Sequence, residues 1–225
     1  TFRYQTLQNY LEKLPETYRK SHPEWQILLA EVFRRKGQLD QAEHTLAEIL
    51  PLNLPQEMKH LALLYQGAIL CQKGQVNEVL ELIEKATVFP LSEREENDAF
   101  RFNLVGVTHL IAGEIQSALT ALRKGYERYT KLGDFVNQAK ILHNEGLALT
   151  WSGELKEAYQ AYSLSCQLLK EHHNIVPPMT EHNLAIINLY LGHYTQAQSL
   201  LENAHGMAQK MGQLTEQVYT LVTLG

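Results

Sequence analysis

Ten histidines and two cysteines are the side chains of this 225-residue chain best suited to metal or nucleophile chemistry. A helical metal site needs two such ligands one turn apart on the same face. No His or Cys pair stands at that i, i+4 spacing, and His172 and His173, adjacent in sequence, diverge by about 100° on a helix. With His182 they read as exposed residues near helix ends, where partial positive charge is favourable. Glu93, Arg94, Glu95 and Glu96 form an acidic run that reads as a solvated first helical turn, not an acid–base pair. The chain carries no phosphate-cradling glycine loop, no nucleophile elbow and no His-Glu-x-x-His. The expectation is a non-catalytic protein with no metal and no cofactor. What remains is recognition chemistry: aromatic, amide, ammonium and imidazole side chains scattered along the chain, useful together only if the backbone returns them to one surface at regular intervals.

Such a beat exists. Gly153-Glu154-Leu155-Lys156-Glu157-Ala158 follows the pattern glycine, any residue, large apolar, two polar, small apolar. It recurs from Gly37, Gly74, Gly113 and Gly192, at steps of 37, 39, 40 and 39 residues, a period that signals stacked repeats. Seven residues before each glycine stand Ala30, Gly67, Gly106, Gly146 and Ala185. Five after it stand Ala42, Val79, Ala118, Ala158 and Ala197, and nine after it Leu46, Ile83, Leu122, Tyr162 and Leu201. A glycine inside a helix costs roughly 0.5–1 kcal/mol against alanine, so three at one repeat position imply a close helix–helix contact. The pattern predicts antiparallel helix pairs, small residues facing small and large ones interlocking. No strand-like alternation interrupts it, and the fold class is all-α.

Taken in order, residues 1–22 form a capping segment with a helix over 5–14, stopped at Pro15. Five helix pairs follow at 23–54, 55–91, 92–133, 134–176 and 177–212, and 213–225 reads as the first helix of a sixth repeat whose second helix is missing, as in a fragment of a longer protein. Pro23 opens a helix at its favoured first position. Ser92 with Glu95 has capping-box spacing, Asp134 is placed to cap the helix after Gly133, and Gly133 and Gly212 suit left-handed helix ends. Residues 172–178, with Pro177 and Pro178, are the least regular stretch.

Twenty Lys and Arg against 25 Asp and Glu give a net charge of −5, with no basic face, which disfavours direct contact with nucleic acid. No apolar run approaches the roughly 18 residues of a membrane span. Cys71 and Cys166 lie in different repeats within apolar helical patterns, as reduced packing residues of a cytoplasmic protein do.

The small, turn-glycine, small, large series resembles the tetratricopeptide repeat over nearly the whole chain. It departs in its period, near 39 against the usual 34, and in lacking the proline that often closes the second helix. The longer form, found in bacterial regulators and kinesin light chains, is matched best by Lys131-Leu132-Gly133-Asp134 with Gln138, Ala139, Leu142, Asn144, Gly146, Gly153 and Ala158. A narrower resemblance covers about the first 46 residues. Leu11-Glu12-Lys13-Leu14-Pro15, His22-Pro23, Leu28-Leu29-Ala30, Gly37, Ala42 and Leu46 are similar to the first repeat after the ATPase module of large LuxR-type transcriptional activators of the maltose-activator, STAND-like kind.

The tetratricopeptide resemblance implies a right-handed superhelix whose first helices line a concave recognition face. Counting back thirteen, ten, six, three and two residues from each turn glycine selects its side chains. These are Phe100, Asn103, Val107, Leu110 and Ile111; then Lys140, His143, Leu147, Thr150 and Trp151; then Met179, His182, Ile186, Leu189 and Tyr190. Val107, Leu147, Ile186 and Leu189 are assigned to packing between repeats. For Trp151, Tyr190 and His143 packing and ligand contact both stay open. Phe100, Asn103, Lys140, His143, Asn144, Trp151, His182 and Tyr190 are the candidate binding set, suited to an extended peptide, a small amphipathic inducer or another protein domain. A carboxylate clamp is not expected, because only Asn103, Lys140 and Asn144 lie at comparable places. The resemblance implies the sensor region of a multidomain bacterial regulator; the alternative is a peptide-binding adaptor or pheromone-receptor domain. An exposed apolar helix at the C-terminal end is a candidate homodimer contact.

Overall fold

Gly153 shows how each predicted turn is built. With φ at 82° it occupies the left-handed region, where a side chain would be strained, and this lets Glu154 N–H reach back to the Leu149 carbonyl at 2.9 Å. Gly37, Gly74, Gly113 and Gly192 share that conformation, with φ between 76° and 80°. The computed structural model describes residues 2–87, 95–172 and 174–224. Among these it contains thirteen helices and no strand: α1 (Phe2–Glu12), α2 (Glu16–Ser21), α3 (Pro23–Arg35), α4 (Leu39–Ile49), α5 (Gln56–Gln72), α6 (Val76–Thr87), α7 (Glu95–Ile111), α8 (Ile115–Leu132), α9 (Phe135–Ser152), α10 (Leu155–Glu171), α11 (Pro178–Tyr190), α12 (Tyr194–Met211) and α13 (Leu214–Leu224). The all-α helical-repeat fold read from the glycine beat is therefore the fold observed.

The chain divides into two compact units, Thr1–Ala112 and Gly113–Gly225. In the first, α3 pairs with α4 and α5 with α6, while α1 and α2 pack on α3 and α7 packs on α5 and α6. Its core is built from Leu11, Ile27, Ala30, Leu46, Ile49 and Ile69, with half-buried Trp25 packed against them as a core residue. The N-terminal segment differs in one respect from the sequence reading: after Pro15 the chain turns a second short helix, α2. Its last residue, Ser21, bonds its hydroxyl back to the Thr17 and Tyr18 carbonyls, and the His22 ring stacks on Tyr18 at 4.1 Å before Pro23 keeps His22 out of the helical region.

In the second unit α9 pairs with α10 and α11 with α12; α8 packs on α9, and α13 on α12 and α11. The Asp134 cap forms as expected, its carboxylate accepting the Asn137 backbone N–H at 3.0 Å. The capping pair proposed at Ser92 lies outside the described residues, as does the ligand role weighed for His173.

The interlock is where it was placed. Ala42, Val79, Ala118, Ala158 and Ala197 are all completely buried, and so, to within 2 %, are Leu46, Leu122, Tyr162 and Leu201. Gly146 shows why its position is small: a Cβ there would stand 2.8 Å from the Tyr162 ring. The repeat exceeds the usual length because its helices do, α8, α9 and α12 each running 18 residues. Cys71 and Cys166 are free and buried, and desolvation pushes the Cys166 thiol up to about 11.

Candidate binding face

Two of the eight candidate residues belong to the first unit. Phe100 and Asn103 lie on α7, which packs on α5, so a side chain there is held by the neighbouring helix. Phe100 is half-buried against Leu64, Ala68 and Leu104, and the Tyr65 ring meets it edge-on with centroids 5.5 Å apart. Val107 packs into the same cluster, the packing role assigned to it. Asn103 is half-buried one turn along from Phe100.

The other six belong to the second unit and fall into two layers. The inner layer is a polar seam over α9, α10, α11 and α13. His143 Nδ1 and the Thr180 hydroxyl form a hydrogen bond of 3.0 Å, and the His143 ring meets Tyr162 edge-on at 5.6 Å. Burial drives the His143 imidazole down to about 4, so it is neutral at physiological pH. Tyr162 reaches into the same seam from α10, and burial raises its phenol to about 12. His182 continues the line, its Nδ1 3.4 Å from Asn183 Oδ1 and its Nε2 3.0 Å from the Thr223 hydroxyl of α13, with the Tyr219 ring beside it at 6.3 Å. Leu189 packs on the Ala185, Ala197 and Leu201 cluster, so its contact is with α12 of its own pair.

The outer layer is exposed. Trp151 and Tyr190, each two residues before its turn glycine, are 58 % and 67 % accessible, and Lys140 is exposed with its ammonium donating to Asn137 Oδ1 at 2.9 Å. Asn144 is half-buried next to His143. The structure thus separates residues that hold the face together, His143 and His182, from those with free surface to offer, Trp151 and Tyr190. Thr180, Asn183 and Thr223 were missed by the sequence reading. The signal was available in the register, since Thr180 lies two residues before the repeat counterpart of His143, but the offset between neighbouring helices is not written in any one repeat.

The histidines once weighed as metal ligands have other partners. His172 stacks flat on Phe135, with centroids 3.5 Å apart and planes 9° from parallel, and His182 is committed to Asn183 and Thr223. Among the described residues no three His, Cys, Asp or Glu side chains gather as a metal site, and no helix is long and apolar enough to cross a membrane.

No family model matches the chain, and neither does any curated protein. Solved structures do. The fold is similar to that of a STAND protein (signal transduction ATPase with numerous domains) with a tetratricopeptide repeat sensor from Pyrococcus horikoshii, at 14% identity and TM-score 0.78, over 96% of this chain and 34% of that one. BtubC from P. vanneervenii matches at 15% identity and TM-score 0.69, covering 93% of this chain and 91% of that one. Aspartyl phosphate phosphatase F of Bacillus subtilis matches at 15% identity and TM-score 0.70, over 93% and 60%. The chain spans about a third of the STAND protein's length. At these identities the likeness establishes a tetratricopeptide-like helical-repeat fold.

Proposed function

We propose that this chain is a non-catalytic recognition domain that binds a peptide, a small inducer or another protein domain on the first-helix face of its second unit. The observation that carries the reading is the pair Trp151 and Tyr190. Two large aromatic rings stand at the same position of successive repeats, mostly exposed, on the helices that also carry the hydrogen-bonded seam of His143, Thr180, Asn183 and His182. A seam already satisfied internally is preorganised, and exposed aromatics on the same helices are the side chains that dominate binding energy. Lys140 and Asn144 supply polar contacts at the edge, and Phe100 with Asn103 form a separate patch on α7 of the first unit.

The role that fits best is the sensor segment of a multidomain bacterial transcriptional regulator of the LuxR-like, STAND kind. The Pyrococcus neighbour, which carries a tetratricopeptide sensor within a longer signalling ATPase, and the opening segment from Leu11 to Leu46 support it. In that role the domain is cytoplasmic, touches no nucleic acid itself, and acts by binding its ligand with different affinity in two states of the parent protein. A peptide-binding adaptor is the second reading, favoured by the apolar and aromatic character of the exposed layer. The exposed apolar residues of α13, Leu214, Val218 and Val222 among them, are the surface for a homodimer contact.

A thermal-shift screen against short apolar peptides and small inducers, with Trp151→Ala and Tyr190→Ala as controls, tests the site. Stabilisation of the wild type that both substitutions abolish places the ligand on this face. Stabilisation retained in both puts binding elsewhere and defeats the proposal.

A further inference from the structure

The first unit contains a polar cluster that none of the binding chemistry uses. His60 on α5 is only 3 % exposed, in a stretch otherwise filled by Ala62, Leu64 and Ile69, and neither of its ring nitrogens has a hydrogen-bond partner. Asp98 on α7, also 3 % exposed, has an unpaired Oδ1, and Arg101, one turn on, has an unpaired Nε. The ion pair between them is long, with Arg101 Nη2 and Asp98 Oδ1 3.6 Å apart, and the guanidinium rests over the Phe102 ring at 5.1 Å. Four buried polar atoms without a hydrogen bond, on two helices in contact, are costly, and native structures keep few of them. The cost changes sharply with protonation. A neutral imidazole in this place only forgoes hydrogen bonds, whereas an imidazolium must be desolvated and must sit beside Arg101, with Asp98 as its one compensating partner.

We propose that the α5–α7 contact is an acid-sensitive latch, closed while His60 is neutral and released when His60 gains a proton, because a buried imidazolium beside Arg101 is disfavoured more than the single carboxylate of Asp98 can offset. The charges that act on the imidazole are both on α7, Arg101 opposing protonation and Asp98 favouring it; on α5 itself Glu57 and Lys59 flank it in sequence. Burial first, and Arg101 second, hold the His60 imidazole below its ordinary range. The proton therefore binds the opened contact more tightly than the closed one. By linkage, stability carried by the neutral ring is complete above about pH 6.5 and is lost as pH falls below it. This regulation is independent of the ligand face of the second unit.

The test compares thermal unfolding of the full chain and of His60→Gln, which keeps one donor and one acceptor but cannot titrate, at pH 7.5 and pH 5.0. Other titrating groups are common to both proteins and cancel. The wild type is expected to lose more melting temperature than the variant over that interval, and equal losses would overturn the latch. A second readout does not depend on the variant folding: the ring resonances of wild-type His60, followed by NMR, should titrate below pH 6.5, and lower still in Asp98→Asn. Titration at or above 6.5, or no response to Asp98→Asn, also overturns it.

Discussion

Gly146→Ala puts two effects in opposition, and the geometry decides between them. Alanine is the better helix former by roughly 1 kcal/mol, so at an unconstrained site the substitution would stabilise α9. Here the new methyl would stand 2.8 Å from two ring carbons of Tyr162, a side chain 1 % exposed and met edge-on by the His143 ring. A ring so held cannot swing aside, and overpacking of this kind costs about 1–3 kcal/mol. The net expectation is a loss of up to about 2 kcal/mol, read as a fall of up to about 8 °C in the melting temperature followed by circular dichroism. The chain contains its own control. Ala30 with Leu46, and Ala185 with Leu201, occupy the equivalent positions and are fully buried, so an alanine is accommodated where the large partner is leucine. In a Tyr162→Leu background Gly146→Ala should therefore be neutral or stabilising, with a coupling of about 1 kcal/mol or more in the double-mutant cycle. Gly67→Ala should be milder than Gly146→Ala, because its Cβ would meet the ends of two leucine side chains, Leu104 at 2.9 Å and Leu82 at 3.2 Å. If Gly146→Ala alone proves more stable than the wild type, or shows no coupling to Tyr162→Leu, the ring is not the wedge described and the reasoning fails.

Three further outcomes are expected. His143 is neutral and held near 4 in the folded chain against 6.5 when free, so its contribution is complete above pH 6.5 and lost between there and pH 4, at most about 3 kcal/mol; His143→Gln should flatten this part of the stability–pH curve, and an unchanged curve would refute the assignment. Asp134→Ala removes the cap of α9 and should cost about 1 kcal/mol in a urea melt, whereas Asp134→Asn should recover most of it. Glu154→Ala, at an exposed turn position, should leave the melting temperature within experimental error, and a marked fall would show that the turn depends on its side chain.

Repetition made the fold legible. One glycine turn is a weak signal, but five in register mark the pairs α3–α4, α5–α6, α9–α10 and α11–α12, and they single out the buried Ala158 and Tyr162. The binding face was legible only as a side of each helix. Trp151 and Tyr190 are exposed, but His143 and His182 are engaged by Thr180 and Thr223, residues set by how far one helix slides along the next, a quantity that no single repeat encodes. His60, Asp98 and Arg101 escaped notice because they obey no period. Thirteen and ten residues before Gly74 stand Leu61 and Leu64, so the same count passes over His60. The short helix α2 was missed because Pro15 reads as a stop, and the Ser21 and His22 contacts that sustain a new turn after it are local and weak.

In the second unit each helix touches only those adjacent or nearly adjacent to it in the chain, from α8 on α9 to α13 on α12 and α11. Such a stack has low contact order, so it should assemble quickly and without a single obligatory nucleus. It also behaves as a row of links in series: drawn apart mechanically from α13, it would yield one helix pair at a time, each giving its own small step in a force–extension trace.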